Sequence, residues 1–122
     1  MSVLGLDHVQ LAAPPGCEAE ARRFYVDLLG LAELDKPAAL ASRGGVWFAL
    51  GTQQLHVGVE ESFTPARKAH PALLVAHGAL DDVAARLAAA RCAVRWDDAL
   101  AGTRRFYTDD PFGNRVELVE AQ

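Results

Sequence analysis

Polar and apolar positions alternate through Asp7-His8-Val9-Gln10-Leu11-Ala12, which predicts a strand with one buried face. From Glu18 to Leu29 the period lengthens: Ala21, Phe24, Tyr25 and Leu28 recur at helical spacing, and Gly30 supplies a stop. Three short strands are predicted next, over residues 31–35, 46–50 and 54–60, with Gly51-Thr52 turning between the last two.

The second half echoes this order at an offset near 61 residues. Ala69-His70-Pro71-Ala72-Leu73-Leu74-Val75 reads as an opening strand, followed by a helix over residues 79–90 on which Leu80, Val83, Ala84 and Leu87 form a stripe. Asp81 and Asp82 place negative charge in its first turn, where the helix dipole favours it. Strands over 93–97, 104–108 and 115–120 complete the half, and Asp110-Pro111-Phe112-Gly113-Asn114 is a turn that aims the last of them. The expectation is an α+β chain of two βαβββ modules, residues 1–60 and 69–122, joined by a polar linker over 61–68 within one domain.

Strand parity sorts the side chains of each module onto two faces. His8 opposes Val9 and Leu11; His56 opposes Leu55 and Val57; His70 opposes Leu73; Glu117 opposes Val116 and Leu118. His8 matches His70 at +62 and His56 matches Glu117 at +61, so four polar residues hold repeat-equivalent positions. Read singly, each histidine is a hydrogen-bonded residue on a solvated face. Read together, imidazoles and a carboxylate suit Zn, Ni, Mn or Fe(II), with positions left open for water or substrate. His77 has no counterpart in the first half and reads as a surface histidine.

Composition narrows the class without choosing a chemistry. The 122 residues are 51% hydrophobic and 23% charged, as in ordinary globular domains. Twelve basic against sixteen acidic residues give a net charge of −4 with no basic run, which disfavours nucleic acid as a partner. No stretch reaches the ~18 apolar residues that a membrane span requires, and no leader pattern precedes Asp7, so a cytoplasmic protein is expected. Cys17 and Cys92 form no C-x-x-C and read as two reduced apolar residues, with a disulfide between them left open.

The chain resembles the vicinal oxygen chelate superfamily, which includes glyoxalase I, extradiol dioxygenases, and fosfomycin and bleomycin resistance proteins. The resemblance is carried by Asp7-His8-Val9, by Phe24-Tyr25-Val26-Asp27-Leu28-Leu29-Gly30-Leu31, and by Phe106-Tyr107-Thr108-Asp109-Asp110-Pro111-Phe112-Gly113-Asn114-Arg115-Val116-Glu117-Leu118. It implies curved mixed sheets around an open cavity, with His8, His70 and Glu117 as metal ligands. His56 stands where a glyoxalase I resemblance implies a carboxylate, so it is expected as a fourth ligand or as a proton-transferring base. The resemblance also implies a homodimer.

Trp47, Arg104, Tyr107 and Arg115 are expected to border the cavity, an arginine holding an anionic group and the aromatics supplying a wall and a hydroxyl. Tyr107 is also a catalytic candidate, since the resemblance to fosfomycin thiol transferases places a tyrosine near substrate. The leading expectation is a small metal-dependent enzyme that chelates vicinal oxygens of a small-molecule substrate. The alternative is a metal-free protein that binds a drug or metabolite, and a third reading is a structural dimer without a small ligand.

Overall fold

The structure is a computed structural model that describes residues 2–122; Met1, where the first expected module begins, lies outside them. The chain divides after Thr64 into two compact units. In the first, β1 (His8–Ala13), β2 (Ala32–Leu34), β3 (Val46–Leu50) and β4 (Gln53–Val59) form one sheet in the order β1-β4-β3-β2. In the second, β5 (Ala72–Val75), β6 (Arg95–Trp96), β7 (Arg105–Asp109) and β8 (Arg115–Glu120) repeat it as β5-β8-β7-β6. In both units the first strand pairs parallel to the last and the other pairs are antiparallel.

One face of each sheet carries the apolar parity set and is buried. In the first unit Leu11, Ala13, Val46, Phe48, Leu55 and Val57 are buried together with Ala21, Phe24 and Tyr25 of the helical segment. Tyr25 meets Phe24 edge-on at 4.9 Å and Phe48 at 5.3 Å, geometries that aromatic quadrupoles favour. In the second unit α2 (Leu80–Ala89) packs on β8, burying Leu80, Val83, Ala84 and Leu87 together with Leu73, Phe106, Val116 and Leu118.

The first helix departs from the uniform α-helix expected over residues 18–29. α1 (Glu18–Arg22) widens into a π-helical turn, Arg23–Leu28, and the Leu29 N–H donates to Phe24 O five residues back. The wider turn lets adjacent Phe24 and Tyr25 share the buried face. A 3₁₀ segment, Ala38–Arg43, was not foreseen; it follows Pro37 and ends at Gly44 and Gly45, both at positive φ. A Cβ on Gly45 would stand 2.2 Å from Val57 O, so only glycine permits this approach to β4.

The turn before β8 does more than reverse the chain. Asp110 Oδ1 accepts the N–H groups of Phe112 and Asn114, while Asn114 Oδ1 accepts the Ala66 N–H. Arg115 N–H then donates to Ala66 O, so residues before β5 are stitched to the start of β8. Among the described residues no helix is long and apolar enough to cross a membrane.

Candidate functional site

On the polar face of the first sheet, register brings Gln10 opposite His56 and Trp47 opposite His56. The His56 ring lies flat between two neighbours: Trp47 at 3.9 Å and 4° on one side, His8 at 4.3 Å and 19° on the other. His56 is only 5% exposed, and its Nε2–H donates to Gln54 Oε1 at 2.8 Å. Burial pushes its pKa below the usual imidazole value, and the neighbouring His8 adds to this, because a second positive charge is unwelcome there. His8 is half-exposed and donates from Nδ1 to Asp7 Oδ1 at 2.8 Å, which leaves Nε2 uncommitted.

The second unit has a different chemistry at the equivalent positions. His70 precedes β5 instead of opening it, because Pro71 offers no N–H; the Pro71 carbonyl still accepts the Glu117 N–H. His70 donates from Nδ1 to Lys68 O at 2.8 Å, and its Nε2 stands 2.9 Å from Glu117 Oε1. With Nδ1–H already committed, that nitrogen–oxygen contact requires either a proton or a cation between the two atoms. Glu117 Oε2 accepts from Arg105 at 3.3 Å, and Arg105 also pairs with Asp97 at 3.5 Å. Tyr107 opposes Glu117 in register and stands edge-on to His70 at 5.4 Å.

The structure therefore brings His8, His56 and Trp47 together in one unit, and His70, Glu117 and Tyr107 in the other. Among the described residues, neither unit by itself gathers three His, Cys, Asp or Glu side chains into a metal site. The donor chemistry nonetheless fits a divalent cation. His8 and His70 each commit Nδ1 to an acceptor on a preceding residue, so Nε2 is the nitrogen that would face a metal, and His70 Nε2 already meets the Glu117 carboxylate.

Arg115 joins Tyr107, its guanidinium lying 5.2 Å from the ring centroid. Arg104 does not. It pairs with Asp81 of α2 at 2.8 Å and with Glu120 at 3.6 Å and lies over Trp96, on the parity set opposite Glu117. His77 is exposed and donates to Ala121 O. Both cysteines are free thiols; burial pushes Cys17 up to about 11, with the carboxylate of Glu18 adding to the shift. The residue left out of the expected set is Arg105, whose parity with Tyr107 and Glu117 was the available signal.

Residues 5–118 match the family described as Glyoxalase/Bleomycin resistance protein/Dioxygenase superfamily. Among solved structures, a glyoxalase family protein from Bacillus anthracis is 46% identical, with 100% of this chain and 98% of that one covered and a TM-score of 0.93. A lactoylglutathione lyase from Agrobacterium tumefaciens is 21% identical over 99% of this chain and 96% of its own, with a TM-score of 0.77. The fosfomycin resistance protein FosX from Listeria monocytogenes, as a mutant solved with Mn(II), is 15% identical over 98% and 94%, with a TM-score of 0.81. The last two show likeness of fold alone. Among curated proteins, none matches the chain significantly.

Proposed function

Because the chain belongs to the Glyoxalase/Bleomycin resistance protein/Dioxygenase superfamily, we propose that it is a metal-dependent enzyme acting on a small substrate with neighbouring oxygen atoms. His8, His70 and Glu117 would hold the cation, with His56 as a fourth ligand or a proton acceptor. The observation that carries this reading is the shared orientation of His8 and His70, each with Nδ1 tied back so that Nε2 is the ligating nitrogen, with His70 Nε2 already facing the Glu117 carboxylate at 2.9 Å. Two imidazoles and a carboxylate suit Mn, Fe(II), Ni or Zn, and such a cation would supply polarisation of the substrate oxygens.

The chain's own residues supply the rest. Arg105 holds Glu117 Oε2, which fixes the carboxylate so that Oε1 faces His70. Trp47 keeps the His56 ring in a single plane, and Gln54 fixes which ring nitrogen carries the hydrogen, leaving Nδ1 of the neutral imidazole to take a proton. Tyr107 and Arg115 border the face that carries Glu117 and are assigned to substrate binding. The working form is taken to be a homodimer, which sedimentation tests by mass.

The direct test is metal loading of protein purified without a nickel column. Calorimetry and elemental analysis with Mn(II), Fe(II), Ni(II) and Zn(II) are expected to give about one equivalent per chain. Glu117→Gln is expected to weaken that binding about a hundredfold or more, since it removes an anionic ligand and takes from Arg105 one of its two carboxylate partners. Loading below about 0.1 equivalent for every metal overturns the enzyme reading in favour of metal-free ligand binding. Thiol conjugates and catechols are the first substrates to screen on the loaded protein.

A further inference from the structure

The second unit holds a cluster of cations that the metal reading does not use. Arg67, Arg95, Asp109 and Arg115 line a cavity of about 150 Å³. Arg95 and Asp109 satisfy each other in a two-pronged pair at 2.9 and 2.9 Å. That pair is internally neutral, so the charges of Arg67 and Arg115 are left over. Among the described residues neither guanidinium has a hydrogen-bond or ion-pair partner within 4.0 Å.

Their adjacency is built by the backbone. The Ala66 N–H donates to Asn114 Oδ1 and the Arg115 N–H to Ala66 O, which seats Arg67 beside the start of β8. Arg115 is further oriented by its contact with the Tyr107 ring. Holding two unpaired guanidinium groups at one cavity is electrostatically unfavourable until an anion enters, and planar guanidinium groups match oxyanions two oxygens at a time. The cavity lies on the face that carries Glu117: Arg115 and Glu117 are two positions apart on β8, roughly 7 Å along a strand.

We propose that Arg67 and Arg115, walled by the Arg95–Asp109 pair, form a seat for the oxyanionic headgroup of a small substrate, phosphoryl or carboxylate. That the headgroup belongs to the reacting molecule rests on the function proposed above; the seat itself does not. An anion held there sets the substrate's body over Tyr107 and toward Glu117.

The test is titration of metal-free protein with inorganic phosphate and with acetate, followed by the side-chain N–H signals of arginine in NMR. Saturable shifts at Arg67 and Arg115 are expected, reduced by added salt and weakened about tenfold or more by Arg67→Gln with Arg115→Gln. Arg67→Gln alone, an exposed position, is expected to show most of the loss even where the double variant folds poorly. Saturation by phosphate but not acetate assigns a phosphoryl headgroup, and comparable saturation by both assigns a carboxylate. No saturation by either up to about 50 mM, or binding unchanged in Arg67→Gln, overturns the seat. Glu117→Gln separates the two readings: it is expected to lose metal and keep phosphate, so either proposal fails without the other.

Discussion

The two units place different chemistry on the same backbone. Trp47 opposes His56 in the first sheet, as Tyr107 opposes Glu117 in the second, and His8 corresponds to His70. In the first unit those positions form a stack of rings, Trp47 on His56 on His8. In the second they form an ionic chain from His70 through Glu117 and Arg105 to Asp97. A βαβββ module thus fixes where polar side chains stand, and the residues at those places decide whether the face is held by dispersion or by charge. The helices show the same division. Glu18 of α1 accepts the Gly45 N–H at 2.8 Å, whereas Asp81 of α2 meets the exposed Arg104 guanidinium.

The comparison can be broken most severely at Arg105. Arg105→Met leaves Glu117 without its second partner in a largely buried setting, and is expected to lower divalent-metal affinity about tenfold to a hundredfold in calorimetry. The same readout in Trp47→Leu is expected to change less than about threefold, because Trp47 acts on His56 through packing and not through charge. What Trp47→Leu should lose instead is stability, about 1 kcal/mol in denaturant unfolding, the worth of an aromatic stack beyond its buried area. Equal effects of the two variants on metal affinity would erase the distinction between a stacked face and an ionic one.

The smallest effect concerns the helix ties. The Gly45 N–H holds the Glu18 carboxyl below the ordinary carboxylate range, so folding is favoured by this group above its unfolded pKa of about 4.3. That contribution is lost as pH falls through the lower folded value. Glu18→Gln is therefore expected to unfold at lower denaturant near pH 7, by about 1 kcal/mol. Its deficit against the parent protein should shrink as pH drops below about 4.5. Asp81→Asn, whose ion pair is solvent-exposed, is expected to cost less than Glu18→Gln. A larger loss from Asp81→Asn than from Glu18→Gln would reverse the contrast between the units.

Much of this was legible along the chain. Alternation located all of β1, β3, β4 and β8 to within a residue, and helical spacing placed α2 over the stretch it occupies. Parity put His8 and His56 on the polar side of their strands and Arg115 on the side of Glu117; only strand register brought Tyr107 to that face. The misplaced residue was Arg104. It is adjacent in sequence to Arg105, but one step along the chain exchanges the Glu117 face for the helix face, where Asp81 and Glu120 meet it. The 3₁₀ segment over Ala38–Arg43 was illegible because six residues with neither strong periodicity nor a turn motif give no pattern to read.

Sequence alone determined the repeat, the order of the strands and main helices, and the alternation of side chains within each strand, because those follow from periods of two and 3.6 that every local stretch must obey. Only the tertiary structure decided which side chains are partners: that His56 is clasped between two rings, that Arg105 rather than Arg104 braces Glu117, and that Arg67 is held beside Arg115. Such pairings join residues up to 48 positions apart, and they depend on strand register and on a turn's hydrogen bonds, which no local period encodes.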